Sequence, residues 1–276
     1  MTPPLSVLIL TRDEEQNLPA CLDSVAWCDD VHVLDSHSTD STASLAEGLG
    51  AHVTFREFDD WSSHQNWALE NMTFKYPWVF MLDADERMSL KLSQSAGAAM
   101  QDPGDKCAFE VRRRDFFLGK PLRYAQTTPH LIRLFRPERI RFSRLVNPAP
   151  QINGPVGRLK GYLDHYPFSK GISHWAGRHN AYAALEARQT LRDQIAKENF
   201  SLRKALFSAQ LSVRRQHQKG LFYKLPARPL LKFAGLYFSR LGFLDGGPGL
   251  AYAILQSMYE YWIVLKTREL QKGLRQ

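Results

Sequence analysis

The stretch that decides the fold is Trp78-Val79-Phe80-Met81-Leu82-Asp83-Ala84-Asp85. Its apolar first part, Trp78 to Leu82, predicts a buried strand, and two carboxylates follow where that strand ends. Carboxylate oxygens suit Mg²⁺ or Mn²⁺, and Mg²⁺ is usually held by one or two carboxylates together with substrate phosphates. A D-x-D also occurs by chance in solvated loops, so its meaning depends on the strands around it.

Three earlier apolar runs predict strands that each lead into a helix. The strands cover residues 5–10, 31–34 and 51–55, and the helices that follow them end near residues 25, 48 and 72. Strands that alternate with helices predict an α/β fold with a mainly parallel sheet. In such sheets, ligands bind at the carboxyl ends of the strands. Thr11, Asp35 and Asp83 lie at three of these ends, so we expect them to meet at one edge.

Two common nucleotide-binding loops are absent from the sequence. No G-x-G-x-x-G follows the first strand, and no G-x-x-x-x-G-K-[ST] occurs along the chain. The dinucleotide-binding and P-loop classes therefore lose their main support.

The pattern of the 276 residues changes near Lys170. Before it, strand-like pieces cover residues 107–113, 131–135 and 158–165. After it, helical spacing predicts helices at about 171–199, 201–218, 221–240 and 248–271. We therefore expect a catalytic α/β domain over residues 1–168 and a helical appendage over residues 169–276.

The net charge of +8 is distributed unevenly along the chain. Residues 1–100 carry −11, residues 101–200 carry +9 and residues 201–276 carry +10. Basic and bulky apolar residues interleave between Lys219 and Phe233, which is typical of a helix on an anionic membrane surface. A packed helical layer with a solvated basic face has the same pattern. A nucleic-acid partner is not expected, because no nucleic-acid-binding motif accompanies the charge.

No segment predicts secretion or a membrane span. The amino terminus lacks a basic region, and the longest apolar run, Gly246 to Tyr259, is too short to cross a bilayer. Cys21, Cys28 and Cys107 form no metal or disulfide pattern, which favours a reducing compartment. We expect a cytoplasmic protein that is peripheral on the inner face of the cytoplasmic membrane.

Four segments of the first hundred residues resemble the motifs of glycosyltransferase family 2. They are Val7-Leu8-Ile9-Leu10-Thr11-Arg12-Asp13-Glu14-Glu15, Val33-Leu34-Asp35-Ser36-His37-Ser38-Thr39-Asp40-Ser41-Thr42, His64-Gln65-Asn66-Trp67-Ala68-Leu69 and Leu82-Asp83-Ala84-Asp85-Glu86. Asp13 stands where the family usually has Asn, and His37 stands where it has Gly. Ile132-Arg133-Leu134-Phe135-Arg136 and Gly242-Phe243-Leu244-Asp245-Gly246 resemble the lipopolysaccharide-core β-1,4-glucosyltransferases within that family.

The resemblance implies a GT-A fold and an inverting transfer of a hexose. The donor would be a UDP-linked nucleotide sugar, and the acceptor would be a glycan or lipid-linked molecule of cell-envelope polysaccharide or lipopolysaccharide. The residues that would bind the donor are Thr11, Arg12, Glu14, Asp35, Ser36, Gln65 and Asp83. Asp35 would read the uracil edge, Asp83 would touch the ribose, and Asp85 would ligate Mg²⁺ or Mn²⁺ and so take part in catalysis.

The residue that takes the proton from the acceptor does not follow from the resemblance. Related sequences often have a Glu where Pro148 stands here. The base must be a carboxylate or imidazole within reach of the attacking hydroxyl. We expect it in the pair Asp164 and His165, with His130 and Asp115 as alternatives. A nucleotidyltransferase and a catalytically inactive nucleotide-sugar-binding protein stay open as alternative functions.

Overall fold

The computed structural model describes residues 3–126, 130–195, 200–208, 211–223 and 225–273. The chain divides into two compact units. Unit 1 comprises Met1–Pro121, Thr128–Phe142 and Pro150–Lys170, and unit 2 comprises Leu122–Thr127, Ser143–Ala149 and Gly171–Gln276. We predicted a catalytic domain over residues 1–168 and a helical appendage over residues 169–276, and the roles of these two parts stay a prediction.

Strands and helices alternate in the first hundred residues, and strands dominate after them. In chain order the elements are β1 (Ser6–Thr11), α1 (Leu18–Asp23), β2 (Val31–Asp35), α2 (Thr42–Gly48), β3 (His52–Phe55), α3 (Trp61–Asn71), β4 (Val79–Asp83), β5 (Glu86–Met88), α4 (Leu90–Gln101), β6 (Ala108–Phe117), β7 (Lys120–Pro121), β8 (His130–Phe135), β9 (Ile140–Ser143), β10 (Ala149–Ile152), β11 (Val156–Arg158) and β12 (Leu163–His165). The segment 158–165, predicted as one strand, is divided between β11 and β12.

The large sheet has the strand order β3-β2-β1-β4-β8-β6-β12-β5, with β7 and β11 also paired to β6. β1 is parallel to β2 and β4, β2 is parallel to β3, and β6 is parallel to β12. β8 is antiparallel to both β4 and β6, and β5 is antiparallel to β12. The predicted α/β class is confirmed, and the antiparallel β8 and β5 make the mostly parallel sheet a mixed one.

Apolar side chains cover the sheet on both faces. Val7 and Ile9 of β1 belong to one buried cluster, and Leu8 and Leu10 of the same strand belong to another. Successive side chains of a strand point to opposite faces, so β1 is buried on both sides, as parallel strands usually are. Because the strand is held in place by burial on both faces, the positions of its end and of the polar residues that follow it are also held in place.

Helices dominate unit 2. They are α5 (Gly171–Ile195), α6 (Leu202–Phe207), α7 (Leu211–Phe222), α8 (Arg228–Ala234) and α9 (Gly246–Gly273), with a π turn at Gly235–Ser239 and a 3₁₀ turn at Gly242–Asp245. The helix predicted over 201–218 is therefore two, because the chain at Ser208 is extended (φ −64°, ψ 128°). None of the helices in the described ranges is long and apolar enough to span a bilayer.

The segment from Lys219 to Phe233 is not a uniformly exposed basic helix. Arg228 is buried, and its Nε lies 3.2 Å from Glu260 Oε1. Burial lowers the pKa of Lys232, and nearby Glu260 opposes that effect only in part. Lys224 lies outside the described residues. Arg228 and Lys232 therefore do not form the exposed cationic face that the sequence pattern suggests.

Candidate active site

Three strand ends of unit 1 lie side by side, as the sequence predicts. In the register of the sheet, Thr11 is opposite Asp35, and Leu10 is opposite Asp83. The Thr11 hydroxyl donates to Asp35 Oδ2 at 2.8 Å. Asp35 also accepts from the backbone N–H of Ser38 at 2.7 Å and from its hydroxyl at 2.6 Å. Asp35 is fully buried, and both of its carboxylate oxygens accept hydrogen bonds from the protein.

Hydrogen bonds connect the turn after β1 to the turn after β2. Asp13 and His37 have positive φ values of 53° and 54°. Asp13 Oδ1 accepts from the backbone N–H of Thr39 at 2.7 Å, and the N–H of Asp13 donates to Ser38 Oγ at 2.8 Å. The Asn and Gly usual at these two positions are residue types that tolerate the left-handed region. The two departures from the family pattern therefore change side chains and keep the turn geometry.

Glu14 is buried and has a cation beside it. Its carboxylate accepts from Asn17 Nδ2 and from Lys170 Nζ, each at 2.7 Å. Burial raises the pKa of Glu14, the hydrogen bonds from Asn17 and Lys170 lower it, and the charge of Asp85 adds to the rise. Glu14 and Asp85 therefore share one electrostatic environment. Lys170 is a site residue that the sequence analysis missed.

Asp83 is held by a buried arginine. Arg133 of β8 donates to Asp83 Oδ2 at 2.6 Å and to Glu86 Oε1 at 2.7 Å. Burial lowers the pKa of Arg133, but Asp83 and Glu86 outweigh it and hold the pKa above its usual range. The guanidinium therefore stays charged and fixes the first carboxylate of the D-x-D.

Asp85 faces His165. The two are separated by 3.6 Å between Oδ2 and Nε2, and His165 Nδ1 lies 2.8 Å from Asp115 Oδ1. Burial and Arg113 lower the pKa of His165, but Asp85 and Asp115 outweigh them and raise it to about 9. In this state His165 is a cation between two carboxylates. Asp115 is thereby placed as the group that orients the imidazole.

Asp164 lies on the other face of the same strand. Alternation along β12 separates it from His165, and register pairs it with Arg114 of β6. Arg114 donates to both oxygens of Asp164 at 2.7 and 2.9 Å. The two predicted base residues are therefore not one cluster. Their assignment as the base stays a prediction.

The remaining predicted donor residues differ in their surroundings. The Ser36 hydroxyl lies 3.3 Å from Nε2 of His64, the first residue of the third motif. Gln65 is buried, and its Oε1 has no hydrogen-bond partner among the described residues. A buried carbonyl left unsatisfied costs about 1–3 kcal/mol, which a ligand donor would recover. The Arg12 side chain is exposed to solvent.

Comparison with known proteins identifies the class. Residues 6–164 match the sequence profile of Glycosyl transferase family 2, so the chain belongs to that family and is a glycosyltransferase with the GT-A fold. It is 28% identical over 275 residues to the lipopolysaccharide core biosynthesis glycosyltransferase LpsC of Rhizobium meliloti, covering 94% of this chain and 92% of that relative. It is 24% identical to an uncharacterized glycosyltransferase of Rickettsia typhi, covering 72% of each chain.

Among solved structures, the chain is similar to glucosyl-3-phosphoglycerate synthase from Mycobacterium tuberculosis, in complex with Mn²⁺, UDP-glucose and phosphoglyceric acid. The match has a TM-score of 0.36 and 21% identity, and it covers 41% of this chain and 44% of that one.

Proposed function

We propose that this protein transfers a hexose from a UDP-linked donor to a glycan or lipid-linked acceptor in lipopolysaccharide or cell-envelope polysaccharide synthesis. The observation that carries the proposal is the convergence of Thr11, Asp35 and Asp83 at one edge of a mixed sheet. That edge is where α/β sheets bind ligands. The likeness to LpsC along nearly the whole chain supports the choice of acceptor class.

The donor set near Asp85 fits a divalent metal. Asp85 Oδ2 and His165 Nε2 face each other, and Asp115 accepts from the other imidazole nitrogen. A histidine that ligates a metal usually donates its second N–H to a carboxylate in this way. His165 would lose its Nε2 proton when a metal binds, because only the neutral imidazole can be a ligand. Within the described residues, no three His, Cys, Asp or Glu side chains gather into a metal site of their own. Diphosphate oxygens of the donor would complete the shell, and the nitrogen ligand favours Mn²⁺ over Mg²⁺.

The residues of the chain have separable tasks in the proposed transfer. Thr11, Asp35 and Glu14 bind and orient the nucleotide, and Arg133 keeps Asp83 in place beside them. The acceptor hydroxyl oxygen bonds to the anomeric carbon as the bond from that carbon to the phosphate oxygen breaks, which inverts configuration. The hydroxyl proton passes to a base, and the diphosphate leaves with the electron pair. A bound metal supplies neutralisation of the charge on the leaving diphosphate.

Attachment to an anionic membrane face is part of the proposal, because a lipid-linked acceptor resides there. Its support is the exposed side chains of α6, where Leu202, Leu206 and Phe207 accompany Arg203 and Lys204. Apolar and cationic groups side by side are typical of segments that lie in a membrane interface.

The test of the proposed function is calorimetric titration with UDP, in Mn²⁺ and in chelator, on wild type and Asp85→Ala. We expect binding in Mn²⁺ that falls at least tenfold in chelator and in the variant, since diphosphate contact depends on the metal. Asp105→Ala, an exposed carboxylate in another loop, is the matched control and should bind like wild type. If Asp85→Ala binds UDP as wild type does and chelator has no effect, the metal assignment is wrong.

A second assay separates an enzyme from an inactive binding protein. An enzyme should release free hexose from UDP-hexose above background.

A further inference from the structure

Four side chains of unit 1 form a hydrogen-bonded series that ends at Ser36. Arg56 donates to both oxygens of Asp59 at 3.0 and 2.8 Å. Its Nη1 lies 2.8 Å from His64 Nδ1, and His64 Nε2 lies 3.3 Å from Ser36 Oγ. Arg56 also lies over the ring of Trp67, 5.6 Å from its centroid. Ser36 directly follows Asp35, so the series reaches the proposed nucleotide site.

The charge of Arg56 determines where His64 carries its proton. A guanidinium stays protonated and can only donate, so Nδ1 of His64 must accept and carries no hydrogen. Burial and then the charge of Arg56 lower the pKa of His64 to about 4, against the opposing charge of Asp59. The ring is therefore neutral near pH 7, and its single N–H is on Nε2. That N–H points to Ser36 Oγ, which accepts it.

The direction of hydrogen bonding at the Ser36 hydroxyl is consequently fixed. Its oxygen accepts from His64, so its own hydrogen is available to donate elsewhere. Among the described residues, the hydrogen bonds of the Ser36 hydroxyl include no acceptor for that hydrogen. Ser36 is 7% exposed, so the donor lies at the wall of the site and not in bulk solvent. Buried donors are usually paired with an acceptor, and an acceptor oxygen of a ligand could fill that role here.

We propose that Arg56 and His64 are positioning residues that hold the Ser36 hydroxyl as a hydrogen-bond donor to an acceptor oxygen of the bound nucleotide. The inference rests on the proposed function, because it takes the ligand beside Asp35 to be a nucleotide. It assigns a role to two residues that carry no part of the transfer itself. A ligand with a donor group at the same point is rejected, since two donors would then face each other.

A double-mutant cycle on UDP affinity tests whether His64 acts through Ser36. Calorimetry at pH 7.5 with Mn²⁺ should show an affinity loss on the order of tenfold for Ser36→Ala, the size of one hydrogen bond. His64→Leu should lose a similar factor, and the double variant should lose no more than Ser36→Ala alone. His64→Gln, whose amide can still donate, should recover part of the affinity and guards against misfolding of the leucine variant. His52→Leu is the control for a histidine outside the series.

The pH dependence of UDP affinity supplies a readout that packing alone would not move. Protonation of His64 puts an N–H on Nδ1 against the N–H groups of Arg56, so affinity should fall as pH drops toward 4. The groups that face the ring are Arg56, Asp59, Ser36 and the Phe58 ring, 5.4 Å between centroids. Arg56→Met removes the donors that a protonated His64 would face, so the acid limb should be lost, because the protonated ring can still donate from Nε2 to Ser36.

Additive losses in the cycle, or an acid limb that Arg56→Met leaves in place, would overturn the inference. UDP binding that is insensitive to both Ser36→Ala and His64→Leu would overturn it too, and would leave the proposed function standing. Failure of the wild-type protein to bind UDP in any condition would overturn both proposals.

Discussion

At the scale of single residues, the turn after β2 has a backbone conformation that the side chain of His37 does not favour. His37 has φ 54°, a region where a Cβ costs about 1–2 kcal/mol and glycine costs nothing. The His37 ring is stacked on Phe55 with 5.8 Å between centroids, which offsets part of the backbone cost. The strained position lies two residues after Asp35, beside the proposed nucleotide site.

Replacing His37 by Gly and by Ala separates the backbone cost from the loss of the ring. Both variants lose the contact with Phe55, but only Gly adopts positive φ without strain. We expect the free energy of unfolding of the Gly variant to exceed that of the Ala variant by about 1 kcal/mol in chemical denaturation. At His52, which is not among the positive-φ residues, the order should reverse. Equal stabilities of the two variants at position 37 would show that the turn relaxes.

Residue patterns predicted that the strand ends bearing Thr11, Asp35 and Asp83 lie together, but they did not predict which cations pair with the carboxylates. Thr11 and Asp35 could be placed together because each ends a strand that its apolar run makes visible. Lys170 reaches Glu14 across 156 positions, and Arg133 reaches Asp83 across 50. Nothing in the spacing of a sequence indicates which distant cation neutralises which carboxylate. Such pairs depend on tertiary packing, which local patterns do not encode.

At the scale of elements, the strands that bury both faces were predictable, and the short ones were not. β1, β2 and β4 are apolar runs with polar residues at their ends. β5 has three residues, Glu86–Met88, two of them charged, and it is a strand only because β12 pairs with it. Helix α4, by contrast, can be recognised in the sequence, because the buried residues Leu92, Ala96 and Met100 recur every four positions. Ser89, a favoured N-cap residue type, stands at its start and caps it.

One element-scale contact explains the Gly242–Gly246 motif, which lies in unit 2. Asp245, at the end of the 3₁₀ turn, accepts from three successive backbone N–H groups, those of Arg123, Tyr124 and Ala125, at 3.0, 2.9 and 2.8 Å. The carboxylate therefore fixes a loop that has no regular structure of its own. Hydrogen bonds to a charged acceptor are about twice as strong as neutral ones.

Asp245→Asn should loosen that loop. The variant puts an NH₂ group against a backbone N–H, so at least one of the three bonds is lost. We expect the free energy of unfolding to fall by about 1–3 kcal/mol, the cost of leaving partly buried donors unsatisfied, and the thermal midpoint to fall with it. Asp105→Asn, an exposed carboxylate paired with Lys106, should change stability by less than about 0.5 kcal/mol. Unchanged stability of Asp245→Asn would mean that the loop is held by other contacts.

At the scale of the whole molecule, the charge is strongly segregated along the chain. The first hundred residues carry −11 and the last seventy-six carry +10. The structure shows that the positive charge of unit 2 is not all available to a partner, because Arg228 lies against Glu260 and is buried. Helix α6 is one place in the described residues where exposed cations, Arg203 and Lys204, accompany exposed apolar side chains. Its Leu202 and Phe207 are 65% and 79% exposed.

Vesicle binding should therefore depend on α6. We expect the protein to bind vesicles of anionic lipid at low salt, to release them as salt rises, and to bind neutral vesicles weakly, because each cation near an anionic surface contributes about 1 kcal/mol. Arg203→Glu with Lys204→Glu should weaken binding to anionic vesicles in a sedimentation assay by at least tenfold and leave UDP affinity unchanged.

The control is the double variant Lys120→Glu with Lys160→Glu, which makes the same change in net charge on exposed residues of unit 1. A smaller effect of this control would exclude a mechanism that depends on net charge alone. If both double variants weaken binding equally, attachment follows total charge and α6 has no special part in it. If the wild-type protein ignores anionic vesicles at low salt, the exposed side chains of α6 have another role and the membrane proposal is wrong.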